Sequence, residues 1–571
     1  MNEATDTPNI VAGPTAPLAP PGRVLAMHDV LALLALGLVL GLAARGHYAM
    51  PYSDFAEFVD CGHAWLAGQL PPTFKRAPVY PLLVVGASKL IGGPVPEIRV
   101  AEWLNALLLP VNGLLVYIIG RRWFGPAARW AAAWVLLLPM SLYCTAHLIV
   151  EPLLAASVLL TIALTQLGTR WAYAAAALAT LVRYDAAGLI VGVAAADWLH
   201  GRSRWRIATG SALASAPLAI ILVLTALTWS ERSKDHYLAR IAAEPVFAPL
   251  TTAALIGQTA FEPHPPQLPV WLAEAQPLLK TALFDFPLLL AAIGAAVALW
   301  TRWPAAIALL CALAGYWLVH AVFPVQVDRF GYPPAGSVVL LTGVGLREAA
   351  LRLSRRRIPP AAVTASLLVI GAVSMAVLVN ESQAWVTSHA GDGRFAERVL
   401  LLVPVVLGLL WGGPLLARRP LAQAVLLLAA LTLATFRLGQ ISAKLGTGQE
   451  MRDVVVAANW IRQHIPEQRV LYSEPGLLRL LVGRTPADRF VGFDEVSAES
   501  WPQIVDECRR RNISYILWHD ALEAVHGGYY ADRMRLGRFA GLRKPEQLSA
   551  VRVVRQFTGQ PNVVIVEILP Q

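Results

Sequence analysis

Acidic and basic residues gather in one short stretch, between positions 52 and 81, just after the first long apolar run. The acids are Asp54, Glu57 and Asp60, and the basic pair Lys75–Arg76 follows a Pro-Pro break. Asp54 and Glu57 are three positions apart, so on a helix their carboxylates share one face. Acids held beside cations suit chemistry on a lipid-linked, phosphate-bearing donor. A solvated loop with scattered charges is the alternative that this stretch alone leaves open.

The composition indicates a polytopic membrane protein. Of the 571 residues, 56% are hydrophobic and 15% are charged, whereas charged residues make up about a quarter of a soluble domain. The formal net charge of +10 lies largely in short loops, where it indicates topology and attraction to anionic membrane lipid; it does not indicate nucleic-acid binding. The four cysteines are far apart and predict neither a metal site nor a disulfide framework.

Runs of roughly 17–25 apolar residues predict transmembrane helices, and we expect about 13 of them. Two of these, 171–184 and 186–199, are short for a full crossing, and the Pro-framed segment 78–90 is read as interfacial. The predicted spans are 28–46, 100–120, 127–143, 147–167, 171–184, 186–199, 207–228, 284–301, 303–320, 333–351, 359–379, 398–417 and 420–437. Arginine-rich loops fall on one side of this arrangement, which predicts a cytoplasmic N-terminus and an outer C-terminus.

Three regions follow from this pattern: a disordered cytoplasmic tail at 1–26, a transmembrane region at 27–439 with outer loops 47–99 and 229–283, and an extracytoplasmic domain at 440–571. In the last region helical patterns alternate with short apolar runs, which is typical of a small α/β layer domain. It contains no phosphate-binding glycine motif. We expect it to cover the membrane cavity and to influence acceptor choice, with residues such as Glu474 and Asp494 affecting acceptor preference at most.

Three short motifs follow one another along the chain. The first loop carries Ser53-Asp54, then Ala64-Trp65-Leu66-Ala67-Gly68, then the run Arg76-Ala77-Pro78-Val79-Tyr80-Pro81-Leu82-Leu83. Glu151 opens a predicted span, and Arg329 begins an Arg-aromatic turn with a proline ahead of a late span. In this order the motifs resemble those of the GT-C glycosyltransferases, the polyprenyl-phosphate-sugar-dependent enzymes that include the protein O-mannosyltransferases and the lipid A aminoarabinose transferase. The resemblance covers nearly the whole chain in architecture but only short motifs in sequence.

The resemblance implies an α-helical GT-C-like membrane fold and transfer of a sugar from a polyprenyl-phosphate donor to a glycan, lipid or protein acceptor. An acceptor hydroxyl or amine must lose a proton as it attacks the anomeric carbon, which calls for a carboxylate base. Negative charge on the leaving phosphate calls for Lys or Arg. The candidate catalytic residues are Asp54, Glu57 and Glu151, with Asp54 as the base of an inverting reaction. The candidate substrate-binding residues are Lys75, Arg76, Tyr80, Arg183 and Arg329.

The sequence departs from the family in its first loop, where many relatives have adjacent Asp and Glu. Here Phe55 follows Asp54, and the next acid is Glu57. Relatives with paired loop acids and a second acidic loop bind a divalent cation. Asp54, Glu57 and Glu151 lack a diagnostic ligand spacing, so no metal ligands are assigned and a divalent cation is left open as a cofactor.

Two other classes of protein remain as alternatives. A secondary transporter predicts ionisable groups near the bilayer midplane and two related halves, whereas here the charges collect at span ends and no halves repeat. A non-catalytic assembly protein would keep the fold and tolerate loss of Asp54. Arg183 and Arg329 could also serve as interfacial anchors. We favour a glycosyltransferase acting at the outer face of a bacterial-type plasma membrane.

Overall fold

The computed structural model describes residues 26–227, 294–300, 303–321, 332–355, 451–522 and 536–570, apart from single positions and pairs within them. Several predicted features lie outside these residues. They are Arg329, the outer loop 229–283, most of the span 284–301, the spans 359–379, 398–417 and 420–437, the tail 1–25 and the boundary at 439/440.

Apolar helices make up the first part of the described chain. They are α1 Met27–Ala44, α2 Asp54–Leu66, α3 Val79–Ser88, α4 Pro96–Phe124, α5 Ala128–Leu136, α6 Pro139–Ala146, α7 Glu151–Gln166, α8 Trp171–Val182, α9 Gly188–Leu199, α10 Arg204–Leu227, α11 Pro304–Ala321 and α12 Tyr332–Arg355. Among the described residues, three stretches are long and apolar enough to cross a membrane: Met27–Ala44, Pro96–Phe124 and Arg204–Thr225.

One predicted span, 127–143, is wrong as a single helix. The chain instead forms α5 and α6, separated at Leu137 and Leu138. Pro139 begins α6, and the residue before it, Leu138, is extended with a φ of −67° and a ψ of 129°. A proline ring clashes with a helical backbone at the preceding residue, which explains the break. The span predicted from 147 likewise begins only at Glu151.

Helices α1 and α4 cross closely and run in opposite directions. A Cβ added at Gly41 would lie 2.4 Å from the carbonyl oxygen of Ala106, and one at Gly37 would lie 2.5 Å from Cα of Pro110. The end of α1 therefore meets the beginning of α4. At the other end of this pair, the Tyr117 hydroxyl donates to Asp29 over 3.0 Å. The first polar loop and the start of α4 thus share one end of the helical bundle.

Residues after 450 form a mixed five-stranded sheet with helices. Its strands are β1 Arg469–Tyr472, β2 Phe490–Gly492, β3 Ile513–His519, β4 Val551–Thr558 and β5 Asn562–Ile568, in the order β2-β1-β3-β5-β4. Strands β1, β2 and β3 are parallel, whereas β5 is antiparallel to β3 and β4. Short apolar runs at 469–473, 489–493, 513–518 and 562–568 predict four of these strands. They miss β4, whose mixed run VRVVRQFT lies at the sheet edge and has no fully buried position.

Helices pack on both faces of this sheet: α13 Arg452–His464 and α14 Pro475–Val482 on one, α15 Trp501–Arg510 on the other. Side chains of α13 and α14 belong to the same buried apolar cluster as those of α1 to α4. The sheet's other face has its own cluster, which includes Ile504 and Phe539. Helix α14 therefore lies between the sheet and the first polar loop.

Candidate active site

The first cluster of charged side chains is built on α2. Asp54 and Glu57 lie in its first turn, so their carboxylates project from one face, as their spacing predicts. The Arg76 guanidinium bridges them: Nη2 donates to Asp54 Oδ1 over 2.6 Å, and Nε donates to Glu57 Oε2 over 2.7 Å. The Arg76 side chain is 7% exposed, Asp54 20% and Glu57 47%. One buried cation thus holds two carboxylates that solvent still reaches.

The packing of α2 against α3 fixes this arrangement. A Cβ at Gly62 would lie 2.6 Å from the carbonyl oxygen of Pro81, so only glycine lets the two helices approach this closely. The Arg76 guanidinium lies 4.9 Å from the centre of the Phe58 ring, and Phe58 meets Tyr80 edge-on at 5.2 Å. Apolar packing therefore holds the Arg76 side chain where its planar donors reach both acids.

A second cluster joins the start of α7 to the turn after α8. Arg183 Nη1 donates to Glu151 Oε1 over 3.2 Å, and Arg183 Nη2 lies 3.0 Å from Asp185 Oδ2. Glu151 and Asp185 side chains are 2% and 4% exposed, and Arg183 is 15% exposed. The structure therefore gives Glu151 a cationic partner, Arg183, in a place that is closed to solvent.

The turn before Glu151 is held from several sides. Leu148 has a φ of +57°, a conformation that costs a non-glycine residue free energy and needs support from its surroundings. The Tyr80 hydroxyl donates to the Leu148 carbonyl over 2.9 Å, and Asn105 donates to the Ile149 carbonyl over 3.0 Å. Tyr80 is fully buried. Its position fits support of this turn; direct contact with substrate, the role expected from sequence, remains a prediction.

The structure brings together most of the predicted site residues that it describes. Lys75 lies beside Arg76 and is partly buried, with its backbone N–H donating to Thr73 Oγ1 over 3.1 Å. The first and second clusters lie at the same end of the bundle, and the Tyr80 hydroxyl connects α3 to the turn preceding Glu151. Arg329 lies outside the described residues.

Sequence reasoning did not place Glu474 near the first cluster. This residue directly precedes α14 and interacts with the charges of Asp54 and Glu57. Burial, followed by these two negative charges, raises the pKa of Glu474 to about 8. A signal was present in the sequence: Glu474 follows a parallel strand and begins a helix, and sites in parallel sheets form at the carboxyl ends of strands.

The described residues offer no group of three or more His, Cys, Asp or Glu side chains placed to hold a metal ion. Cys61 lies on α2, and its thiol faces the Thr73 carbonyl at 3.5 Å. Burial raises the pKa of this thiol to about 12, so it remains protonated and is a poor nucleophile. The groups available for proton transfer in this cluster are therefore carboxylates.

Comparison with known proteins gives matches in structure but not in sequence. No family model and no curated protein matches the chain. ArnT from Cupriavidus metallidurans, bound to undecaprenyl phosphate, matches with a TM-score of 0.54 and 16% identity, over 96% of this chain and 100% of ArnT. Its apo state gives the same values. The archaeal oligosaccharyltransferase AglB from Archaeoglobus fulgidus, in complex with an inhibitory peptide and a dolichol-phosphate, matches with a TM-score of 0.49 and 14% identity. This match covers 92% of this chain and 73% of AglB.

The similarity to ArnT extends over almost all of both chains, including the helical bundle and the sheet that follows it. At this level of identity it bears on the fold. The resemblance to the GT-C glycosyltransferases that the sequence indicates is thereby confirmed at the level of the fold, and the roles of the motif residues stay predictions. The chain has the fold of the GT-C membrane glycosyltransferases.

Proposed function

We propose that this chain is an integral-membrane glycosyltransferase that moves a sugar from a polyprenyl-phosphate-linked donor to a glycan, lipid or protein acceptor. The observation that carries the proposal is the Arg76 bridge between Asp54 and Glu57, at one end of a GT-C fold. The cluster supplies both a carboxylate base and a cation for phosphate. Undecaprenyl phosphate bound to ArnT supports a lipid phosphate as the donor's carrier.

The bridge suggests how donor binding prepares the base. A donor phosphate that approaches Arg76 competes with Asp54 for the same guanidinium N–H groups, because charge-assisted contacts to phosphate are strong. Moving the guanidinium toward the phosphate leaves the Asp54 carboxylate available to the acceptor. Lys75 lies beside Arg76 and adds a second cation, and Arg329 is proposed as a third on the sequence motif alone.

The proposed reaction is a direct displacement. The acceptor oxygen or nitrogen forms a bond to the anomeric carbon while the bond from that carbon to the phosphate oxygen breaks. The electron pair leaves with the polyprenyl phosphate, and the acceptor proton passes to Asp54. One displacement inverts the anomeric carbon. Glu57 keeps Arg76 in place during the exchange, while the Glu151–Arg183–Asp185 network positions the neighbouring turn.

We further propose a plasma-membrane location with the N-terminus in the cytoplasm and the site on the outer side. Loops rich in Arg support this orientation, including the sequence Arg202-Ser203-Arg204-Trp205-Arg206. In the structure, these residues form the turn after α9 and the first turn of α10, where Arg206 pairs with Asp197 over 2.8 Å. The domain that begins near residue 440 would then be extracytoplasmic.

Replacing Asp54 by Asn tests the function and also identifies the sugar. In cells that carry Asp54→Asn in place of the natural chain, the sugar-bearing polyprenyl phosphate should accumulate, because its consumption slows by about 10²–10⁴-fold. Mass spectrometry of lipid extracts detects the accumulated donor. Purified Asp54→Asn protein should still bind undecaprenyl phosphate in detergent. The matched control is Asp506→Asn, at an exposed Asp on α15. A normal donor pool in the Asp54→Asn cells would contradict the proposal.

A further inference from the structure

Helix α2 is short, so the elements packed against it hold it in place. It has 13 residues, Asp54–Leu66, whereas a helix needs roughly 17 to cross a membrane. Successive side chains on a helix are about 100° apart, and the residues of α2 divide among three faces. Phe58 and Gly62 lie on the face that packs on α3. Asp54 and Glu57 lie on the acidic face, and the third face meets α14.

Two printed positions on each helix make the contact between α14 and this third face. A Cβ added at Gly476 would lie 3.5 Å from the Ala56 Cβ, an ordinary van der Waals distance. One turn further along both helices, the Arg479 guanidinium pairs with the Asp60 carboxylate. The order of these residues shows that the two helices run side by side in the same direction. We call these four residues the α14–α2 contact.

The acidic face stays open while the α14–α2 contact is made. With α14 in place, the side chains of Asp54 and Glu57 are still partly exposed. A reactant can therefore reach them without separation of the two helices. The acids project between α3 on one side and α14 on the other, so both neighbours support the helix turn that carries them.

We propose that Arg479 is a positioning residue for the reaction at the first cluster: through Asp60 it holds α14 on α2 and so fixes the turn that carries Asp54. This inference rests on the proposed sugar transfer and adds the C-terminal region as the part of the chain that orders its base. Separation of the α14–α2 contact lets this turn move, and Asp54 then takes its reactive position in fewer molecules. The docked state is the active one.

Reversing the charge at Arg479 tests the positioning role. The Arg479 and Asp60 side chains are 23% and 37% exposed, and a pair this exposed changes an equilibrium by only about twofold to fivefold. Arg479→Glu replaces the attraction by repulsion, so donor consumption in membranes of cells that carry it should fall by about tenfold. Purified Arg479→Glu should bind undecaprenyl phosphate normally. The matched control is Arg462→Glu, at an exposed Arg on α13, which should keep the natural rate.

A reversible covalent link distinguishes positioning from a direct action of Arg479 on the substrate. The separation of 3.5 Å lies in the Cβ–Cβ range of a disulfide, so oxidation should join the pair Ala56→Cys and Gly476→Cys. Peptide mapping by mass spectrometry detects this link. In the Arg479→Glu background, oxidation should restore donor consumption to within about twofold of the natural rate, and dithiothreitol should reverse the gain. Gly476→Cys without its partner should restore nothing.

Hydrogen–deuterium exchange in peptides covering α2 gives a readout that does not depend on transfer. In the purified full chain without substrate, exchange should be faster in Arg479→Glu and return to the natural rate when the cysteine pair is oxidised. If the natural chain consumes no lipid-linked sugar, the proposed function fails, and this exchange alone then decides whether α14 fixes α2.

Several outcomes would overturn the inference. They are natural donor consumption in Arg479→Glu, unchanged α2 exchange in that variant, and failure of the cysteine pair to form the link. Loss of transfer on oxidation of the cysteine pair with Arg479 intact would show that the contact must open, which also overturns it. Normal transfer in the natural chain with any of these results would leave the proposed function standing without this inference.

Discussion

The two clusters of paired charges contain the same chemical groups, one guanidinium between two carboxylates, but they differ in exposure. Glu57 and Asp54 in the first cluster are 47% and 20% exposed, whereas Glu151 and Asp185 in the second are 2% and 4% exposed. A reactant can reach the first cluster without unfolding its surroundings. The second is enclosed by α7, α8 and the following turn. This difference supports the proposal that the chemistry occurs at the first cluster and that the second cluster has a supporting role.

The two clusters also differ in whether the arginine can exchange a carboxylate partner for another anion. In the proposed mechanism Arg76 exchanges a carboxylate partner for a phosphate, because phosphate is also an anion and the carboxylates of Asp54 and Glu57 are partly exposed. Arg183 cannot leave its partners without stranding two buried carboxylates, which is costly in a low-dielectric interior. Substituting Arg183 should therefore mainly lower thermal stability, whereas substituting Arg76 should mainly lower the transfer rate.

The largest expected effect is on stability, at the enclosed cluster. Arg183→Met keeps much of the side-chain volume but leaves Glu151 and Asp185 without this cation. Breaking a buried ion pair typically costs about 3–5 kcal/mol, so the midpoint of thermal unfolding in detergent should fall markedly. The matched comparison is Arg206→Met on α10, which breaks a similarly buried pair with Asp197 and should lower the unfolding midpoint by a similar amount. Unaltered unfolding of Arg183→Met would show that the second cluster does not stabilise the fold.

The next effect is on transfer, at the exposed cluster. Arg76→Met should lower the rate by about 10²–10³-fold, the cost of removing one group that stabilises charge in a transition state. Arg76→Lys should recover only part of this loss, because a point charge cannot replace the planar fork that reaches both acids. Donor consumption and undecaprenyl-phosphate binding are the measurements. Full recovery of the transfer rate in Arg76→Lys would argue that transfer does not depend on a guanidinium that bonds both Asp54 and Glu57.

The smallest effect concerns the support of the turn before Glu151. Tyr80→Phe removes the hydroxyl that donates to the Leu148 carbonyl and leaves that buried acceptor unsatisfied. We expect a loss of about 1–3 kcal/mol in unfolding free energy and little change in donor binding. A large loss of lipid binding with unchanged stability would instead show that the Tyr80 hydroxyl acts on the substrate, as the sequence resemblance implies.

Local sequence patterns predicted the parts of the molecule that depend on neighbours in the chain. The spacing of Asp54 and Glu57 indicated a shared helix face, and the helices and most strands of the C-terminal sheet follow from short-range periodicity. The break between α5 and α6 could have been expected from Pro139, whose effect on Leu138 is also local.

Contacts between distant parts of the chain could not be predicted in the same way. Nothing near Arg76 in the sequence shows that it bonds both acids, since that depends on how α2 packs on α3. Glu474 and Asp54 are about four hundred positions apart, and their proximity depends on how α14 rests on α2. Strand β4 was missed because its partner β5 and the sheet edge, rather than an apolar run, determine its structure.

The most direct test of the difference between the clusters is to measure transfer rate and thermal unfolding on the same preparations of Asp54→Asn and Arg183→Met. The donor is the lipid-linked sugar recovered from the Asp54→Asn cells. Asp54→Asn should lose about 10²–10⁴-fold in rate and unfold within a few degrees of the natural protein. Arg183→Met should unfold at a clearly lower temperature yet keep most of its rate per folded molecule. The opposite assignment, with normal transfer in Asp54→Asn and abolished transfer in folded Arg183→Met, would contradict the account.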